Sequence, residues 1–133
     1  ELVMAAWRLN ENIPGYLFKR IKAEVPLLNK KKVAILGLSF KKDIDDARFS
    51  LVPKIQRYFL TEGAKVLVSD PYLPSDPLKE TLENADILVI GTNHSDYKKV
   101  SLSKLQKIVA KDCLICDIWN MFGTGKIIFR LNE

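Results

Sequence analysis

Between residues 33 and 48 the chain reads V-A-I-L-G-L-S-F-K-K-D-I-D-D-A-R, and its chemistry changes abruptly within that stretch. The apolar run from Val33 to Leu38, with Gly37 near its end, has the composition of a buried strand. Lys41 and Lys42 come next, then Asp43, Asp45 and Asp46, then Arg48, before an apolar helical pattern begins at Ser50. In an open α/β sheet, ligands sit at the loops leaving the carboxyl ends of strands. A loop there with three cations and three carboxylates suits an anionic, hydroxyl-rich ligand.

Other residues able to do chemistry are sparse. Cys113 and Cys116 form a C-x-x-C inside the apolar run C-L-I-C-D-I. Positions three apart on a strand face opposite sides of the sheet, which sets the two thiols against a shared metal or bridge. With no second cysteine pair and His94 as the lone histidine, both cysteines read as filler in a reducing compartment, and no zinc is expected. His94 lies in T-N-H-S-D with Ser95 and Asp96 beside it. Sequence neighbours rarely make a triad, so His94 reads as a polar loop residue.

The elements that must carry these residues follow from periodicity. Leu2, Val3, Ala6, Leu9 and Ile13 have helical spacing. Pro14-Gly15 is expected to kink or break that helix, before a second stretch with Leu17, Phe18, Ile21 and Val25 on one side. Strands are then predicted over 33–38, 65–69, 86–90, 114–118 and 126–131. Helices are predicted over 50–62, stopped by Gly63, and over 78–84 and 102–110, with a helical turn at 95–99. Strands alternating with helices predict an α/β fold. That fold is a Rossmann-like, doubly wound, mainly parallel sheet with helices on both faces, preceded by an N-terminal helical segment.

Several function classes are disfavoured. At 133 residues the chain has the size of one domain. No apolar run approaches the ~20 residues of a membrane span, and there is no signal-peptide pattern, so no membrane partner is expected and the location reads as cytoplasmic. The chain begins at Glu1, already inside a helical pattern, and reads as a piece of something longer. A net charge of +5 permits anion binding without demanding it. Lys30, Lys31 and Lys32 read as a solvated loop, and aromatics are not interleaved with basic residues, so no nucleic acid is expected. The first strand turn has Gly37 but no G-x-G-x-x-G, which argues against autonomous NAD binding. Asp70, ending the second strand, has the place of a ribose-reading acid. It lies much farther than the usual ~20 residues from Gly37, and Pro71 makes a turn role equally natural. A phospho-receiver fails too, because the first strand ends G-L-S-F and the third ends Gly91-Thr92-Asn93. No nucleophile–base pair is evident.

The segment G-L-S-F-K-K-D-I-D-D-A-R-F-S resembles the G-L-x-F-K-x-x-x-D-D-x-R-x-S signature of the UDP-glucose/GDP-mannose dehydrogenase family, at the start of its C-terminal nucleotide-sugar-binding domain. G-A-K-V-L-V-S-D-P-Y is similar to the family's G-A-x-V-x-x-x-D-P-Y, and A-D-I-L-V-I-G-T-N-H-S-D-Y to its A-D-x-x-x-x-x-T-x-H-x-x-(F/Y). The opening A-A-W-R-L-N-E-N-I-P resembles the end of the central helical region that pairs subunits.

The resemblance implies a division into 1–28, the end of that helical region, and 29–133, a UDP-sugar-binding domain. It implies the last third of an NAD-dependent UDP-sugar 6-dehydrogenase, homodimeric at full length. Such an enzyme takes the sugar C6 alcohol to a carboxylate in two hydride transfers through a cysteine thioester. The NAD domain and that cysteine segment are not in this sequence, so the chain alone is expected to be inactive. A non-catalytic nucleotide-binding or dimerisation module is the competing expectation.

By the same resemblance Phe40 and Lys41 would contact the UDP-sugar, and Arg48 would reach NAD on the other domain. The side chains suit those roles. Lys41 offers a mobile point charge to a phosphate, and Phe40 a flat apolar face with backbone groups. Arg48 offers a planar fork. The alternatives are solvated surface for Lys41 and an ion pair with Asp45 or Asp46 for Arg48. Asp45 and Asp46 would fix the loop, and Ser50 or Asp46 would cap the next helix. Three departures stand out. Phe49 replaces a common acid, Trp119 stands where many members have the Arg of D-x-R, and Pro14-Gly15 interrupts the helix. The D-x-W ending and T-N-H-S-D-Y resemble the branch acting on UDP-N-acetylhexosamines.

Overall fold

The uninterrupted apolar runs become the strands of one five-stranded sheet. The computed structural model describes residues 1–132, the Trp7 side chain excepted; Glu133, the last residue of the expected second domain, lies outside the described residues. The strands are β1 (Lys32–Leu36), β2 (Lys65–Ser69), β3 (Ile87–Ile90), β4 (Leu114–Cys116) and β5 (Ile128–Arg130). They lie in the order β2-β1-β3-β4-β5. The strand order reverses between β1 and β3, which makes the carboxyl ends of those two strands the topological switch point.

Side-chain alternation divides the interior into two layers. Val33, Ile35, Val89 and Cys116 face helices α1 (Leu2–Glu24) and α2 (Val52–Thr61), joining Leu17, Ile21, Leu28 and Phe59. Ala34, Leu36, Leu88, Ile90 and Cys113 face the other way, with Tyr97 and Leu105. These come from the short 3-10 helix Ser95–Lys99 and from α4 (Leu102–Leu105), while α3 (Leu78–Leu82) adds Leu82. The two cysteines therefore lie on opposite sides of the sheet as free thiols. Burial pushes both thiols up to about 12.

Three expectations need correction. Pro14-Gly15 does not break the first helix, which runs unbroken from Leu2 to Glu24. Leu17 and Ile21 anchor it in the core, and Lys54 Nζ donates to the Glu11 carbonyl at 3.0 Å. That charge-assisted bond supports the turn in which Pro14 removes one intrahelical donor. Helix α4 ends at Leu105 rather than near residue 110. Beyond it the backbone turns to pair with the α3–β3 connection, Asn84 N–H donating to the Ile108 carbonyl at 2.9 Å and Ala110 N–H to the Ala85 carbonyl at 3.0 Å.

Strand β5 is antiparallel to β4. No helix lies between them, and a parallel return needs a crossover of a dozen or more residues. Finally, Lys32 is not part of a solvated loop. It opens β1, and its ammonium donates to the Glu80 and Glu83 carbonyls at 2.6 and 2.5 Å, at the carboxyl end of α3.

Candidate functional site

The switch point is built on two glycines. Gly37 has φ +97°, and a Cβ there would lie 2.5 Å from the Thr92 nitrogen; a Cβ on Gly91 would lie 2.4 Å from the Gly37 carbonyl oxygen. No other residue type lets the ends of β1 and β3 approach so closely. From this junction the loops after β1, β2 and β3 diverge, and buried polar side chains tie them together.

Asp70 is the centre of that tie. Its Oδ2 accepts from the N–H groups of Leu38 at 2.7 Å and Ser39 at 3.0 Å, and its Oδ1 accepts from Tyr72 N–H at 2.8 Å. His94 Nε2 lies 2.9 Å from the same Oδ2 and 3.0 Å from Ser39 Oγ. Burial pushes the Asp70 carboxyl up, but these N–H groups and the imidazole together hold it below its ordinary value. Ser39 Oγ donates to the Lys41 carbonyl at 2.8 Å, and Thr92 Oγ1 donates to the Ser39 carbonyl at 2.7 Å. Ser39, Asp70, Thr92 and His94 are all buried.

One reading changes here, and an open alternative closes. His94 is a buried member of this network rather than a polar loop residue: the loop after β3 folds inward, and its imidazole finds partners on two other loops. Asp70 is not presented to a ribose, since its carboxylate is consumed by backbone N–H groups of the first loop. The Leu38 and Ser39 amides that a pyrophosphate would use are consumed with it. Ser39, His94 and Asp70 are not a nucleophilic triad either, because Ser39 and Asp70 share one ring nitrogen and the Ser39 proton goes to a carbonyl.

The charged loop is less open-handed than its composition. Asp43 accepts from Ser95 N–H at 2.7 Å and Ser95 Oγ at 2.5 Å, and those bonds draw its carboxyl below the usual value. Asp46 is paired with Arg48, its Oδ2 lying 2.7 Å from Nη2 and its Oδ1 3.0 Å from Nε, which lowers the Asp46 carboxyl to about 2. The Phe40 N–H closes the loop onto the Asp46 carbonyl at 2.7 Å. Of the six charges, Lys41, Lys42 and Asp45 form no ion pair among the described residues and Asp43 is held by neutral Ser95 donors, so the loop's charges balance overall and it is the placement of Lys41 that offers an anion a local cation. Ser50 Oγ accepts from Val52 N–H at 3.2 Å at the start of α2, where Asp46 plays no part.

Phe40 lines a cavity of ≈390 Å³ beside the switch point, and Lys41, the next residue, does not line it. Phe40, Phe49, Gly91 and Trp119 line it, with Ile13 and Leu17 of α1 behind. Trp119 Nε1 donates to the Gly91 carbonyl at 3.3 Å, which fixes the indole across the cavity wall. Lys41 Nζ stands 5.5 Å from the centre of the Phe40 ring, a cation–π distance. Apolar walls and flat rings, with a cation beside one of those rings, suit a ligand with a planar or saccharide body and an anionic group. Arg48 is elsewhere: its side chain is 82% exposed, turned to Asp46, and does not line the cavity. Trp119, a departure from the family pattern, lines the same cavity as Phe40, which its sequence position does not indicate.

A family model described as the UDP-glucose/GDP-mannose dehydrogenase family, UDP binding domain, matches residues 34–124. The chain is 32% identical over 116 residues to the UDP-N-acetyl-D-mannosamine dehydrogenase of Methanocaldococcus jannaschii, covering 84% of this chain and 27% of that protein. Among solved structures, the NDP-N-acetyl-D-galactosaminuronic acid dehydrogenase of Methanosarcina mazei Go1 superposes with a TM-score of 0.75 at 30% identity, over 80% of this chain and 25% of that one. The UDP-D-ManNAc dehydrogenase of Pyrococcus horikoshii gives 0.73 at 29% identity, over 83% and 28%. The chain thus spans about a quarter of the length of these relatives.

Proposed function

This chain belongs to the UDP-glucose/GDP-mannose dehydrogenase family, and from that premise we propose that it is the nucleotide-sugar-binding part of an NAD-dependent UDP-sugar 6-dehydrogenase. The substrate class is a UDP-N-acetylhexosamine, supported by relatives named for N-acetyl-mannosamine and N-acetyl-galactosaminuronic acid dehydrogenases. Residues 29–133 form the binding domain, and 1–28 the end of a helical region that pairs subunits. The whole protein is a cytoplasmic homodimer.

One observation carries the reading. An ammonium with no ion pair among the described residues, that of Lys41, stands 5.5 Å from the centre of the Phe40 ring, and Phe40 itself lines the cavity. Lys41 meets a phosphate of the diphosphate and lowers the cost of holding its charge out of water. The Phe40 and Trp119 rings give flat apolar faces to the base or sugar.

NAD does not fit the first strand turn of this chain, where the Asp70 carboxylate occupies the amides that a pyrophosphate needs. No hydride step is assigned to these residues. Arg48 is the one group we assign to the cofactor, from an exposed position facing away from the cavity.

Calorimetric titration of this chain with UDP, UDP-N-acetylglucosamine and NAD tests the proposal. Weak binding of both UDP ligands, reduced in Lys41→Ala, and no heat with NAD are expected. NAD binding without UDP binding would sink the proposal, and UDP binding indifferent to Lys41→Ala would remove Lys41 from it. A second reading, a dimerisation module, is favoured by Leu2, Val3 and Leu9, all exposed on α1. Sedimentation with and without residues 1–12 decides it.

A further inference from the structure

We propose that His94 is a positioning residue: its neutral Nε2–H tautomer latches the Ser39–Asp43 segment, and a second proton on the imidazole releases that segment and weakens anion binding at Lys41. The tautomer follows from the partners. Nδ1 lies 2.9 Å from the Asp43 N–H, and a backbone amide only donates, so Nδ1 must carry a lone pair. The ring proton is then on Nε2, shared between Asp70 Oδ2 at 2.9 Å and Ser39 Oγ at 3.0 Å. One imidazole thus grips the segment at both ends, at Ser39 through its side chain and at Asp43 through its backbone. Lys41 lies between the two grips.

Asp43 sits in the left-handed region at φ +60°, a conformation its aspartate does not prefer and that the bonds around it must maintain. The charged and titratable groups around the ring are few. Asp70 meets Nε2, the Asp43 carboxylate stands 3.8 Å from Nδ1, and the rings of Tyr72 and Tyr97 lie 4.9 and 5.6 Å away. Asp96 stands behind Tyr72, 3.3 Å from its hydroxyl. When Nδ1 gains a proton, donor faces donor at the Asp43 amide. The nearest alternative acceptor is the Asp43 carboxylate, whose Oδ1 at 3.8 Å is too far from Nδ1 to accept its proton without Asp43 moving. Either way the Asp43 backbone leaves its place, and Lys41 moves with it.

The ligand half of this inference rests on the nucleotide-sugar reading above; the latch itself does not. Amide hydrogen exchange in this chain from about pH 8 down to about pH 5, the range in which imidazoles titrate, reads the latch directly. The Asp43 protection factor should fall roughly tenfold on acidification while those of Ile35 and Leu88 hold. His94→Asn keeps an acceptor near Nδ1 and should make Asp43 protection independent of pH. His94→Gln keeps the donor toward Asp70, loses the acceptor, and should leave Asp43 weakly protected throughout.

UDP titration in the same samples should follow Asp43 protection, with affinity falling roughly tenfold at low pH and less in His94→Asn, which also controls for protonation of UDP. A mere charge effect has the opposite sign, because a cationic ring would tighten anion binding. Asp43 protection that is flat with pH overturns the proposal, as does UDP affinity that rises on acidification. The wild-type pH series requires no substitution, so it decides the matter even where a variant does not fold. UDP failing to bind wild type at about pH 8 would defeat the nucleotide-sugar reading, while Asp43 protection would still judge the latch.

Discussion

Ser39 to Asp43 and Asp45 to Phe49 are two halves of one loop with similar charge content, and they are held by different means. The first half is gripped by buried groups: the Asp70 carboxylate, the His94 imidazole and the Thr92 hydroxyl. The second half relies on a solvent-exposed pair, Asp46 with Arg48, and ends in Phe49, 82% exposed at φ +64°. Buried hydrogen bonds to a charged group each contribute on the order of 1.5–3 kcal/mol, whereas exposed ion pairs contribute little. The difference teaches which half is pre-organised. Lys41 stands on the rigid half and can be aimed at a ligand, while Arg48 stands on the half whose geometry another surface can still set.

The comparison breaks most readily at Asp70. Asp70→Ala leaves the Leu38, Ser39 and Tyr72 amides without their acceptor and the His94 Nε2–H with Ser39 Oγ alone, and should cost about 3 kcal/mol or more of unfolding free energy in urea. A loss below about 1 kcal/mol would mean that the first half is not held as described. Arg48→Ala, by contrast, should leave the urea midpoint unchanged.

Ligand affinity sharpens the same contrast. Lys41→Ala should weaken UDP binding roughly tenfold by removing a charge-assisted contact, measured by calorimetry, while Arg48→Ala changes it less than about twofold. Equal effects would show both halves engaging UDP in this chain.

Acid separates the halves more gently. Asp43, Asp46 and Asp70 are all held below the ordinary carboxyl value. Below that value the unfolded chain binds more protons than the folded one, so stability falls as pH falls. For Asp46 the window runs from 3.8 down to about 2. Thermal midpoints should therefore drop below about pH 4, with a shallower drop in Asp70→Asn than in Asp46→Asn. The reverse ranking would put the acid-sensitive contact on the exposed half.

Phe49→Gly is the mildest test. Relief of the left-handed backbone offsets the added freedom of glycine in the unfolded chain, so the unfolding free energy in urea should rise by less than about 1 kcal/mol. A clear destabilisation would reveal that the Phe40–Phe49 edge contact, 6.2 Å between ring centres, supports the second half.

Much of the fold was legible because its signals are local. β2 and the 3-10 helix appear at the expected residues, and β1, α2 and β3 differ only at their ends. Local propensity misled at Pro14, where tertiary packing kept the helix whole, and past Leu105, where tertiary hydrogen bonds ended one. For the candidate site, the charged loop was legible from its position after the first strand, while Phe40 and Lys41 were singled out only by the family resemblance. His94 was missed as a structural centre, although T-N-H follows β3 at the same edge as G-L-S-F after β1 and S-D-P after β2. Three strand exits at one edge, each with a short polar residue or a histidine, were the available signal.

By itself the sequence determined the alternation of strands and helices, the two-sided burial of the sheet and the edge at which charge collects. These follow from hydrophobic period and turn residues, which act over a few positions along the chain. Only the tertiary structure decided which charges remain unpaired, which tautomer His94 holds and that Trp119 lines the same cavity as Phe40. Ser39 and His94 are 55 positions apart, and Leu38 and Asp70 are 32 apart. Such partners meet only once the ends of β1, β2 and β3 are brought to one edge. A carboxylate's role is then set by the donors that reach it, and its own position in the sequence does not encode them.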